Sequence, residues 1–126
     1  MLRSKGAVHC MQVFRHHIYE YRKGLRNLIL HTASEKDIPE IERTLSSQKI
    51  AFRIEHLNNG YANVFFGSED CIKVLEIIGN KKLTDFTKEE DFILGIMLGY
   101  GRIEECRRYI YLSQKEQERL HAGAAD

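Results

Sequence analysis

The stretch Ala51–Phe66, AFRIEHLNNGYANVFF, decides how the rest of the chain folds. Two runs rich in aromatic and β-branched residues flank Asn58-Asn59-Gly60, so the segment reads as a β-hairpin. Its register follows from how the side chains sort. A two-residue loop at Asn59-Gly60 would oppose Arg53 to Phe66 and Glu55 to Val64, mixing charged and apolar groups on one face. A three-residue loop opposes Phe52 to Phe66, Ile54 to Val64 and His56 to Ala62, with Gly60 in the left-handed position. That register turns Leu57, Tyr61 and Phe65 to the other face, beside Arg53, Glu55 and Asn63. Such a face needs cover from another element or from a second chain, because contiguous apolar surface usually marks a contact.

Upstream of the hairpin, Leu28–Thr32 is too short for a helix and reads as a strand. Before it, Phe14, Ile18, Tyr21 and Leu25 recur at helical spacing, with Gly24 weakening the last turn. After it, Ser34 and Asp37 resemble a capping box ahead of a helix that buries Ile38, Ile41 and Leu45 and ends near Ser47. Downstream, Ser68 is positioned to cap a helix whose stripe is Cys71, Leu75 and Ile78, with Gly79 as its stop. Thr87 and Glu90 form a full capping box for a helix over Asp91–Leu98, whose apolar residues surround its axis and predict burial on most sides. A tight reversal at Gly99-Tyr100-Gly101 leads to a last helix with Ile103, Cys106 and Ile110 along one side.

The expected architecture is α+β: about five helices and a small three-stranded antiparallel sheet of order 1-3-2, a half-ferredoxin-like β-α-β-β-α core. Residues 1–12 read as a flexible leader, 13–114 as a single α+β domain and 115–126 as a flexible polar tail. The 126-residue length leaves no room for a second large domain, so the C-terminal helices are expected to contribute to one core.

Composition narrows the function classes. With 19 basic against 18 acidic residues, the chain has no global field for a polyanion. Arg15, Arg22, Lys23 and Arg26 on the first helix and Arg102, Arg107 and Arg108 on the last are interspersed with tyrosines, but Glu20, Glu104 and Glu105 interrupt them. Nucleic-acid binding, RNA or DNA, is therefore a third-ranked reading. No apolar run approaches the ~20 residues of a membrane span, and Met1–Val13 lacks a signal-peptide core. Cys10, Cys71 and Cys106 are odd in number and form no C-x-x-C unit, which points to reduced thiols and a cytoplasmic setting.

No catalytic set is legible. His16, His17 and His31 lie near Cys10 in sequence, yet neighbouring helical side chains diverge by ~100° and do not share one ion readily, so no metal site is assigned. Cys71 and Cys106 fall on apolar stripes and read as buried small hydrophobes. Glu89, Glu90 and Asp91 occupy a first helical turn, where they oppose the dipole. No glycine-rich phosphate loop follows a strand, and no cofactor is implied. A small-ligand or metal-binding protein or enzyme would use a pocket near His31, His56 and Tyr100.

The strings His16-His17-Ile18-Tyr19-Glu20, Gly24-Leu25-Arg26-Asn27-Leu28, Leu30-His31-Thr32 and Leu94-Gly95-Ile96-Met97-Leu98-Gly99-Tyr100 resemble DUF2023, a small bacterial family of unknown function, over nearly all of residues 13–112. The resemblance implies a compact protein of three strands and five helices, a homodimer, and a link to a flavodoxin; it carries no catalytic residues. The combined expectation is a non-enzymatic homodimeric interaction or accessory protein. Its contact face is the outer side of the hairpin, with Leu57, Tyr61 and Phe65 as anchors and Arg53 and Asn63 at the margin.

Overall fold

A computed structural model describes residues 7–125. It contains five helices, α1 (Ala7–Arg22), α2 (Ile38–Ser47), α3 (Glu69–Ile78), α4 (Lys88–Met97) and α5 (Arg102–Ala125), and three strands, β1 (Leu28–Ser34), β2 (Ala51–His56) and β3 (Tyr61–Gly67). The strands form one antiparallel sheet in the order β1-β3-β2, so the fold is α+β. The chain divides into two compact units, Met1–Gly79 and Asn80–Asp126.

In the first unit the hairpin takes the register that separates charge from apolar surface. Phe52 pairs with Phe66, Ile54 with Val64 and His56 with Ala62. The Leu57 N–H donates to the Tyr61 carbonyl and Gly60 adopts φ 82°, closing a three-residue loop. β1 adds on the free side of β3, with Ile29 opposite Phe66 and His31 opposite Val64. Ile29, Ala33, Ala62, Val64 and Phe66 therefore share one face, and α1 and α2 bury it through Phe14, Ile18, Ile38, Ile41 and Leu45. All of these are alternate strand positions or one-face helical positions, which is why a single core forms.

Several local expectations change. Helix α1 starts at Ala7, and Met11, expected in the leader, joins the core; residues 1–6 lie outside the described residues. Leu25 leaves the apolar stripe because Gly24, at φ 75°, ends the helix first. The Leu25 N–H bonds the Glu20 carbonyl and the Gly24 N–H bonds that of Tyr21, a Schellman closure. Ser34 makes no capping hydrogen bond, since β1 runs through it and pairs it with Tyr61; a short 3-10 turn at Glu35–Asp37 intervenes before α2. In α3 the buried positions are Ile72 and Leu75, with Cys71 only partly covered.

The second unit is a helical hairpin. Thr87 Oγ1 accepts from the Glu90 N–H at 3.1 Å while Glu90 Oε1 accepts from the Thr87 N–H at 2.9 Å, the reciprocal box expected from the sequence. Helix α4 is less buried than its composition suggested: Leu94 and Gly95 are covered, but Ile93 and Ile96 are each 40% exposed. The side of α5 carrying Ile103, Cys106 and Ile110 is also exposed, whereas Glu105 is buried. Helix α5 continues regularly past Gln114 through the segment expected as a tail.

Candidate functional site

The first candidate, the outer sheet face, is built by the even positions of β1 and the odd positions of β2 and β3. At its centre Thr32, Asn63 and Glu55 lie in one row across the three strands. Thr32 Oγ1 donates to Asn63 Oδ1 at 2.7 Å, and Asn63 Nδ2 donates to Glu55 Oε1 at 3.0 Å. Asn63 is thus a buried link in a polar row, away from any margin. Two rungs along, α3 lies over the sheet: Arg53 Nη1 donates to the Leu75 carbonyl and Nη2 to that of Gly79, both at 3.0 Å. Phe65 sits opposite Arg53 and is 3% exposed. Phe65, expected as an anchor, is thus covered, and Arg53, expected at the margin, is a clasp between strand and helix. Leu57 and Tyr61 remain half-buried at the hairpin end.

The histidines separate. His31 is buried on the inner face, its ring 5.5 Å from Phe14 and 5.4 Å, edge to face, from His17. Burial first, and the neighbouring His17 charge second, lower its pKa from 6.5 to about 4. His17 is lowered as well, chiefly by burial, while its Nδ1 lies 3.4 Å from Glu20 Oε1; that hydrogen bond holds Glu20 below the ordinary carboxylate range. His56 instead is exposed at the end of β2 with its Nδ1 2.7 Å from Glu35 Oε2. Tyr100 belongs to the second unit, so neither unit contains the trio His31, His56 and Tyr100 as one pocket. Among the described residues no three His, Cys, Asp or Glu side chains gather as metal ligands; the Cys10 side chain lies outside them.

The α4–α5 hairpin presents a feature that the sequence pattern did not reveal. Phe92, Ile93, Cys106, Tyr109 and Ile110, with Glu89 at one end, line an open apolar groove of about 460 Å³. The one charged residue of its lining, Glu89, accepts from the Tyr109 hydroxyl at 2.9 Å; elsewhere on the hairpin Arg108 grips Asp91 with two hydrogen bonds of 2.7 and 3.0 Å, and Lys88 Nζ reaches Glu116 at 3.2 Å. These bonds lower the Glu89 pKa, through Tyr109 first, and raise those of Lys88 and Arg108. The result is an apolar strip with a single charged residue, Glu89, at its end. The signal for it was present in the spacing of Ile103, Cys106 and Ile110, but that stripe reads equally as an inward face.

A small sheet clasped by helices, with an apolar helical hairpin beside it in sequence, defines an α+β protein whose candidate sites are surfaces. A family model described as a protein of unknown function (DUF2023) matches residues 12–112, and the chain belongs to that family. No curated protein matches it. No helix among the described residues is long and apolar enough to cross a membrane.

Proposed function

We propose that this chain is a non-enzymatic interaction protein of the cytoplasm that pairs with a second copy of itself and serves as an accessory to another protein. A flavodoxin is the partner that the family resemblance suggests. The observation that carries self-association is the exposed apolar strip of the α4–α5 hairpin, where Ile103 and Ile110 are 61% and 54% exposed and Ile93 is 40% exposed. Two such hairpins packed face to face would form a four-helix layer that buries both strips at once. The nearly uncharged lining favours a like partner, because its one carboxylate, Glu89, is already engaged by the Tyr109 hydroxyl and by Lys88, so little like charge is brought together. The outer sheet face supports the same role less well, since Phe65 is already covered.

Sedimentation of the wild type and of an Ile103→Glu/Ile110→Glu variant tests this. A dimeric mass that becomes monomeric, with the circular dichroism retained, is expected. A wild type that stays monomeric at high concentration, or a variant of unchanged dimeric mass, overturns the reading.

The groove volume favours one second reading, a small apolar ligand bound beside Phe92 and Tyr109. Titration with a fluorescent naphthalene sulfonate dye, with and without the double substitution, separates it from dimerisation because it requires binding to a monomer.

A further inference from the structure

The outward flank of α1 carries a basic ridge. Arg15, Tyr19 and Arg22 stand at i, i+4 and i+7, on one face of the helix, and all three are exposed; Lys23 continues the ridge. The Lys23 Nζ lies 5.4 Å from the Tyr19 ring centre. Arg22 is held in place, its Nε donating to Gln48 Oε1 at 2.8 Å and its Nη2 reaching the Gln48 carbonyl at 3.4 Å. Between α1 and α2 runs a groove of about 350 Å³, with Arg15, Tyr19 and Arg22 on one wall and Glu40, Thr44 and Gln48 on the other. Two guanidinium groups thus face one carboxylate. Helix α1 carries one acid, Glu20, and it is turned to His17 and Arg26, at 3.4 and 3.6 Å.

We propose that this ridge and groove form a docking surface for an acidic segment of a partner protein. Charge complementarity gives the sign of the occupant, and the clasp of Gln48 on Arg22 lowers the ordering cost of one cation. The dimensions favour a peptide over a nucleic acid. From Arg15 to Lys23 the ridge extends about 12 Å along the helix, which accommodates a short acidic segment but only a few phosphates of a strand. One face of Tyr19 is also taken by Lys23, so the ring is a poor platform for stacking bases. The apolar floor of the groove, to which Ile18 contributes, suits an acidic segment that carries an aliphatic side chain. This surface lies on the first unit and does not depend on self-association through α4 and α5.

Fluorescence anisotropy with a labelled oligoglutamate peptide tests the proposal at low salt, beside a labelled single-stranded oligonucleotide. The comparison uses wild type, Arg15→Glu/Lys23→Glu, the milder Arg15→Gln/Lys23→Gln, and a control, Arg102→Glu/Arg107→Glu, that reverses exposed charge on α5. The wild type is expected to bind oligoglutamate, with affinity falling about tenfold or more on charge reversal, less on neutralisation, and little in the control. The neutral pair keeps the test decisive if charge reversal impairs folding. Absence of peptide binding by the wild type, an equal loss in the control, or tighter binding of the oligonucleotide would overturn it. Sedimentation of the same proteins reports on the dimer separately.

Discussion

Arg53 Nη1 donates to the main-chain carbonyl of Leu75 over 3.0 Å, joining the middle of strand β2 to the last turn of helix α3. With the second bond from Nη2 to Gly79, one guanidinium caps the helix end: it gives the Leu75 carbonyl a second donor beside the Gly79 N–H and bonds the Gly79 carbonyl beyond the last turn. Replacing Arg53 by Met keeps the aliphatic stem and removes both bonds. A loss of about 2 kcal/mol is expected by denaturant unfolding, with Lys a poor substitute because a single ammonium lacks the fork.

Phe65 lies under that clasp. Phe65→Ala should cost about 3–5 kcal/mol through the cavity it leaves, whereas Leu57→Ala at the half-buried hairpin end should cost less. Thermal unfolding read with sedimentation checks this. If Phe65 were an interface anchor, its truncation would lower the mass at unchanged melting temperature.

His31 makes stability depend on pH. Its pKa falls from 6.5 to about 4 on folding, so between these values the unfolded chain binds more protons than the folded one. The stabilisation is complete above about pH 6.5 and is lost as the pH drops toward 4, amounting to about 2 kcal/mol between pH 7 and pH 5. His17 is shifted the same way. Denaturant unfolding at the two pH values should show this slope, and His31→Phe should flatten it.

Gly67 closes β3 at φ 145°, where a side chain is strained, and a Cβ there would fall on the Asn27 main-chain carbonyl. Backbone cannot swing aside as a flexible side chain does. Gly67→Ala is therefore expected to lower stability by about 2 kcal/mol or more, while Gly123→Ala, with open space around it, should be neutral or slightly stabilising. Melting temperatures of the two variants make the comparison.

The hairpin and the order of the sheet were legible because a one-residue slip would have put Arg53 and Glu55 among core side chains, and only one loop length avoids that. The faces of α2 were legible for a similar reason: its apolar residues occupy one narrow stripe. Legibility failed where apolar residues surround a helix. In α5 the stripe Ile103, Cys106 and Ile110 resembles a core face, yet Glu105 is the buried residue, fitted against Gly95, whose missing side chain leaves space for the carboxylate. Burial and the nearby Asp91 charge raise the Glu105 pKa, an arrangement that no hydrophobic pattern signals.

By itself, then, the amino-acid order determined the strands, their register and most helix ends, since these depend on alternation, spacing and turn chemistry within short segments. Which side of the sheet was covered, and by what, was decided only in three dimensions. The cover over Phe65 depends on where α3 returns, and the exposure of Ile103 and Ile110 on which face of α5 meets α4. Both are contests between several apolar surfaces for the same neighbours, and packing geometry, not local pattern, settles them.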